Sequence, residues 1–500
     1  MVHSITRSVS ATSFLRSLLS LMPVSITLVS CGSVFTLPVS PNRSSSSKGA
    51  SSTGGSSENQ GEDSTGAAHH RGQRSDVVKS SPGQGTCGVQ RHSFRSTGHP
   101  AIPADLRPTQ LVVIFRHGDR APVSKSLGTI LDEGEESTSL WLSKLPSSGE
   151  AETWDKAFPP RVLGDSCGQT IEEIVSSNPP WGELTVRGAE ELRDLGGILR
   201  EHVVAGNNAA LFPSGPETEA SSIYVRTTAI RRTQHSAQNL LLGLGLSGDV
   251  DLHVRPRTRE TLWPTKNHRR RQEELIDQAS QENEWPNHAD LKTTTSKMLG
   301  VREEDIKWST VREVVTCYEA HGVPLPPDAI SSGFVQSVSD YAAWMWGTWF
   351  RGKEMARLSI GPFLEELLSV IGARGQEDGI PEANIATRPK LAIFSGHDNT
   401  IVPILCALKI YDDTWPPYAS YIGLDMADDR NGRKLVRVVF NSQEVVLPGA
   451  SGPWIPLADL HERLEDLMPE PEDLVGGDSG AGGISNGSSE ISATIGGGKD

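Results

Sequence analysis

The chain has 500 residues, 36% of them hydrophobic, and a formal net charge of −15. This length supports one large domain or two medium ones, and the acidic balance excludes general nucleic-acid binding, which needs a positive footprint. The five cysteines, Cys31, Cys87, Cys167, Cys317 and Cys406, form no Cys-x-x-Cys pair, which argues against a zinc ribbon and requires no disulfide framework.

Residues 1–57 contain no Asp or Glu. Arg7 and Arg16 precede an uncharged stretch, Ser17 to Asn42, with the apolar part SLLSLMPVSITLVSCGSVFTLPV. A basic, Ser-rich, acid-poor start has the character of an organelle transit peptide, and the apolar stretch that of a signal peptide or signal anchor. The expectation is a targeting segment for a mitochondrion or another organelle. The secretory pathway or a membrane anchor is the alternative, and any membrane contact runs through this segment. From there to about Arg95 the chain is Ser/Gly-rich, with too few apolar residues to offset ordering entropy. The division expected is a targeting segment and tether over residues 1–107, a folded domain over 108–468 and a disordered tail over 469–500.

The run QLVVIF (Gln110–Phe115) is apolar throughout and rich in β-branched residues, as expected of a strand buried on both faces. Arg116-His117-Gly118-Asp119-Arg120-Ala121-Pro122 comes directly after it. Gly118 permits a tight turn or close backbone approach, and Pro122 limits the exit. Asp119 is read as loop structure or an ion-pair partner. A second run, SSIYVR, ends at Arg226 and leads into a segment where Ile230, Thr233, Ala237, Leu240, Leu241 and Leu244 keep helical spacing. A third, KLAIFS (Lys390–Ser395), ends in Gly396-His397-Asp398-Asn399-Thr400 and enters another helical pattern, Ile401 to Leu408.

Strand, polar turn and helix thus recur three times, which argues for an α/β sheet covered on both faces. In such sheets ligands bind beyond the carboxyl ends of the strands. If the three strands are neighbours, Arg116, His117, Arg120, Arg226, His397 and Asp398 share one cleft. Arginine forks match phosphate oxygens better than lysine point charges do, so the group points to a bound dianion such as a phosphate monoester.

The sheet is expected from about 108–130, 184–250 and 340–462, with a hairpin turning at Asn441-Ser442. The intervening 131–183 and 251–339 are rich in Pro, Trp and charge and are expected to form a mostly helical cap. In the latter, KNHRRRQEEL (Lys266–Leu275) is read as a solvated helix start. A rim attracting anionic substrate or phospholipid headgroups is its functional alternative. TWPPYAS is read as packing that at best adds aromatic area near the cleft.

Arg116-His117-Gly118-x-Arg120-x-Pro122, Arg226 and the later His397-Asp398 pair resemble the histidine acid phosphatase family, whose nucleophile motif is Arg-His-Gly-x-Arg-x-Pro. The resemblance extends over about 108–468. GELTVRGAEELRDLGGILR is similar to the helix that comes after Leu-Thr-x-x-Gly in this family. CYEAHGVPLP, IGPFLEELLSVI and DDTWPPYASYIGLDM give a closer likeness to lysophosphatidic acid phosphatases.

The resemblance implies a mixed, mostly parallel sheet flanked by helices, with a smaller, mainly helical cap lobe. It implies His117 as the nucleophile that forms a phosphohistidine and Asp398 as proton donor to the leaving alkoxide. Arg116, Arg120, Arg226 and His397 become phosphate ligands, and no metal or other cofactor is required. The residue chemistry agrees: neighbouring arginines favour the neutral imidazole that attack on phosphorus needs. The partner expected is a small phosphate monoester, with a lysophospholipid as the first candidate. Inositol or sugar phosphates, or a non-catalytic phosphate-binding role, are the alternatives. Phosphoglycerate mutases share the Arg-His-Gly start but normally lack both the x-Arg-x-Pro ending and the Asp beside the second His. Metal-dependent His-Asp phosphohydrolases need further His and Asp pairs that the sequence does not offer.

Overall fold

The first apolar run becomes a ten-residue strand at the middle of a sheet, and every other strand is placed by reference to it. The computed structural model describes residues 98–474 apart from 165–168, 205–209, 265–267, 287, 328, 330–332 and 373–387. The targeting segment, nearly all of the tether and all but the first residues of the tail lie outside the described residues, as do Cys31, Cys87 and Cys167. Cys317 and Cys406 are free and buried.

In chain order the strands are β1 (Arg107–Arg116), β2 (Pro160–Val162), β3 (Ile223–Thr227), β4 (Leu252–Val254), β5 (Leu391–Gly396), β6 (Tyr421–Asp428), β7 (Lys434–Phe440), β8 (Gln443–Val445) and β9 (Trp454–Pro456). They form a single sheet in the order β2-β4-β3-β5-β1-β6-β7-β8, with β9 also on β7. The pairs from β2 to β1 are parallel, and those from β1 onward to β8 are antiparallel. This is the mixed, mostly parallel sheet anticipated. The β7–β8 turn is Asn441-Ser442, both with positive φ (48° and 64°), which matches the twist of the strands it joins.

Period-two alternation explains why β1 reads as continuously apolar. Leu111, Val113 and Phe115 enter one core with Leu192, Leu195 and Leu199 of the helix Val186–Val204 and Leu240 and Leu241 of the helix Arg231–Gly243. Val112 and Ile114 face the other core, with Phe363 and Leu364 of the helix Gly361–Val370 and Ile401 and Leu405 of the helix Asp398–Ala407. Both faces are therefore covered, and each fully buried Val, Ile or Phe contributes on the order of 1.5–3 kcal/mol.

The stretch 251–339 supplies the helices Arg269–Glu282, His288–Leu299 and Trp308–Ala320, and 131–183 supplies Glu135–Leu142 and Ser148–Ala157. The same two stretches also give β4 and β2, which extend the sheet. The three arginines of the basic run are each met by a carboxylate: Arg269 by Glu273, Arg270 by Glu274 and Arg271 by Glu354, at 3.0, 3.3 and 2.7 Å. That is the solvated-helix reading. Among the described residues no helix is long and apolar enough to cross a membrane.

Candidate active site

Strands β3, β5 and β1 lie side by side and end level, with Thr227 opposite Ser395 and Ser395 opposite Phe115. The turns at their carboxyl ends are therefore delivered to one place. Beyond β1 the chain makes a loop whose tightness depends on two glycines. A Cβ on Gly118 would fall on the Gly188 carbonyl, and one on Gly188 would fall on the Asp119 carbonyl. The helix Val186–Val204 can approach the loop only because neither residue has a side chain.

His117 is buried, and its Nδ1 lies 2.8 Å from the Gly118 carbonyl oxygen. A carbonyl only accepts, so Nδ1 carries the proton and Nε2 keeps its lone pair. Burial, then the charges of Arg232 and Arg116, the His397 ring and Arg120, hold His117 well below the usual histidine pKa. The imidazole is neutral in the acid range, the state that a nitrogen nucleophile requires.

Arg116 is fixed at both ends of its fork, donating to the Pro416 carbonyl (2.7 Å) and to Asp398 Oδ2 (2.9 Å), with the Tyr418 ring 4.2 Å beneath it. Arg120 donates to Glu313 (2.7 Å). Glu313, on the helix Trp308–Ala320, also accepts from the backbone N–H of Val123 and of Ser124, at 2.5 and 3.3 Å. Asp119 turns away from the cleft, and its Oδ2 accepts from Thr185 Oγ1 (2.6 Å) and His321 Nε2 (2.5 Å). These hydrogen bonds hold the loop, which is one of the two roles the sequence offered for Asp119.

Beyond β5, His397 and Asp398 open the helix Asp398–Ala407. The His397 and His117 rings meet edge to face, with centroids 5.4 Å apart. A guanidinium only donates, so His397 Nδ1 accepts from Arg232 (3.4 Å) and its Nε2–H donates to Thr228 Oγ1 (2.9 Å). Burial also holds this histidine neutral. Asp398 is partly exposed (20%) and its Oδ1 accepts from the Asn399 N–H. Burial alone would raise its pKa, but Arg116, Arg120 and Arg312 outweigh it and hold the carboxyl below the usual range.

Arg116, His117, Arg120, His397 and Asp398 thus share one cleft. Arg226 does not join them. It stands two residues beyond Tyr224 on β3 and points to the same face, where Glu260 (2.5 Å), Thr261 (3.0 Å) and Glu366 (3.4 Å) engage it. The third guanidinium beside the histidines is Arg232, in the first turn of the helix Arg231–Gly243. Burial, then Arg120, pushes its pKa down to about 9, which leaves it charged at any working pH of the enzyme. Position could have given the signal. On β5 the residues that reach the cleft stand at the start of the next helix, and the same rule on β3 points past Arg226.

Two further residues were not singled out from sequence. Arg312 is buried over the Trp415 ring, its guanidinium carbon 3.8 Å from the centroid. Trp263 stands 5.7 Å from the His397 ring. TWPPYAS is more than packing, since Trp415 and Tyr418 underlie two cleft guanidiniums. Among the described residues His99, His202 and Asp425 are spaced to hold a metal. They lie toward the other end of β1, because Asp425 pairs with Leu111 there. Arg437 already neutralises Asp425 at 2.7 Å, so the group reads as a buried ion network.

The sequence pattern of the histidine phosphatase superfamily (branch 2) matches residues 109–303 and 303–441, which takes in the whole cleft. The chain belongs to that superfamily. With relatives named as acid phosphatases, the chain is a phosphoric monoester hydrolase. Counting factor 60 of Dictyostelium discoideum is 26% identical over 386 residues, covering 74% of this chain and 88% of that protein. Lysophosphatidic acid phosphatase type 6 of Bos taurus is 24% identical over 401 residues, covering 75% and 87%. Human testicular acid phosphatase is 27% identical over 366 residues, covering 66% and 72%. Among solved structures, Hafnia alvei phytase in its apo form superposes with a TM-score of 0.53 at 15% identity, covering 75% of this chain and 99% of that one. At that identity the likeness shows the fold.

Proposed function

We propose that this histidine phosphatase hydrolyses phosphate monoesters through a covalent phosphohistidine on His117. The observation that carries the reading is the fixed tautomer. With Nδ1–H committed to the Gly118 carbonyl, Nε2 offers a lone pair in a ring of guanidiniums. In the first step Nε2 bonds to phosphorus as the ester P–O bond breaks, and Asp398 gives its proton to the leaving oxygen. In the second a water attacks phosphorus, the N–P bond breaks, and Asp398 takes the water's proton. Arg116, Arg120 and Arg232 neutralise the phosphoryl oxygens throughout, the role first expected of Arg226.

Asp398 needs a proton for the first step, yet the guanidiniums of Arg116, Arg120 and Arg312 favour its anion. A bound phosphoryl dianion reverses that field: it engages the guanidiniums and sets negative charge beside the carboxyl, which raises its pKa. Substrate binding itself therefore prepares the acid.

Lysophosphatidate is the first substrate to test, because proteins named lysophosphatidic acid phosphatase type 6 align along about three quarters of the chain. Inositol and sugar phosphates are the alternatives. Phosphate release at pH about 5 from an aryl phosphate and from lysophosphatidate, by wild type and by His117→Ala, tests the reading. Release by wild type that vanishes in the variant supports it, and the ratio of rates ranks the lipid. Equal release by the variant overturns His117 as nucleophile.

A further inference from the structure

Arg312 is a buried cation in the cleft, and among the described residues it has no anion of its own. Arg116 is matched by Asp398 and Arg120 by Glu313. Arg232 is held against His397 and the Gly182 carbonyl. Arg312 is 9% exposed, and its Nε is buried without a partner. Among the described residues none hydrogen-bonds or ion-pairs with its guanidinium, which rests only on the Trp415 ring. A lone buried guanidinium is costly unless something anionic comes to it.

Its place in the cleft says which part of a substrate would do so. Arg312 and Glu313 are neighbours on the helix Trp308–Ala320, and Glu313 holds the nucleophile loop through Arg120. Arg312 lies on the Trp415 ring, and the carbonyl of the next residue, Pro416, accepts from the same Arg116 fork that holds Asp398. Asp398 and Arg312 also interact by charge. Arg312 therefore stands on the side of the proton donor. In the reaction proposed above, that is the side of the leaving alcohol.

We infer that Arg312 is a specificity residue that binds a second anionic group carried by the leaving alcohol close to the scissile ester. The favoured substrate class is a phosphate monoester whose alcohol bears a carboxylate or another phosphate within a few atoms of the ester oxygen. A carboxylate or phosphate edge would accept from the guanidinium fork while Trp415 keeps its plane in place. The inference rests on the phosphatase reading and narrows its substrate.

The test compares kcat/KM of the full chain for 2-phosphoglycerate and glycerol 2-phosphate, which differ by a carboxylate in place of a hydroxymethyl beside the same ester. Wild type should prefer the carboxylate by about 10- to 100-fold, the worth of one charge-assisted fork. In Arg312→Gln the ratio should fall toward one, mainly through KM for 2-phosphoglycerate, while Arg312→Lys should keep an intermediate ratio. A change that Arg312 makes only through Asp398 would move both substrates together and leave the ratio unaltered. That result, or a wild type active on both esters without preference, overturns this inference alone. A wild type inert toward both and toward an aryl phosphate overturns the phosphatase reading with it.

Discussion

Arg226 and Arg232 flank one strand-to-helix turn and carry opposite consequences for mutation. Arg226 balances the fully buried Glu260 and shares Glu366. Arg226→Ala leaves a carboxylate buried without its partner, so it should cost about 3–5 kcal/mol of stability, read as a lower Tm. Among the described residues no carboxylate hydrogen-bonds to Arg232, and burial and Arg120 weigh against its charge. Arg232→Ala should leave Tm within a few degrees of wild type, while kcat falls by about 10²–10³ as a phosphoryl-oxygen donor is lost. Thermal melts and steady-state rates on the two variants check both halves. The difference between the two arginines was not readable in the sequence. Strand-end position drew attention to Arg226, and only the pleat, which turns it to the Tyr224 face, removes it. Arg231 and Arg232 are identical neighbours in the sequence, and only the fold separates them, sending one to Asp155 and the other into the cleft.

The contact between the nucleophile loop and the helix Val186–Val204 is made at Gly118 and Gly188, backbone to backbone. Gly188→Ala should force the helix and loop apart, costing about 1–3 kcal/mol and lowering kcat as His117 shifts. Gly197→Ala in the same helix meets open space. It should be neutral or stabilising by up to about 1 kcal/mol with activity intact, since alanine is the better helix former. Denaturant melts with activity assays compare the two directly. At this scale much was legible. The three strand-turn-helix units and the Asn441-Ser442 hairpin can be traced to apolar runs and turn residues, because periodicity is a local property, whereas the adjacency of the three strands entered only as a condition. The links that lock them together were not legible. Those from Asp119 to His321 and from Arg120 to Glu313 join residues distant in sequence. Such pairings come from tertiary packing, and a single sequence carries no mark of them.

Across the whole molecule, burial sets how stability answers to acid. His117 and His397 are held neutral, and burial, then Arg231, pushes His235 down to about 4 from an ordinary 6.5. Between those two values the unfolded chain binds a proton at His235 that the fold refuses, so stability at this site falls as pH falls. Glu191 works with the opposite sign. Burial and Asp119 raise it to about 7, so the fold holds a proton there that the unfolded chain has lost, and stability rises as pH falls from 7 toward 4.5. The His235 contribution should amount to about 3 kcal/mol between pH 6.5 and 4. His235→Gln should therefore lose less stability than wild type over that window, as chemical denaturation at a series of pH values would reveal. Equal pH slopes would show that His235 titrates in the fold as it does in the unfolded chain.

The most direct test of the covalent mechanism is to catch the phosphoryl group on His117. Wild-type protein is mixed with an aryl phosphate for milliseconds, then quenched in alkaline denaturant, where a phosphohistidine survives, and its peptides are weighed. The mechanism predicts one phosphoryl group on the peptide that contains His117, formed and lost at rates at least as fast as turnover and missing from His117→Ala. Phosphate release with no phosphorylated peptide at any time, or with the phosphoryl group on His397 instead, would contradict it.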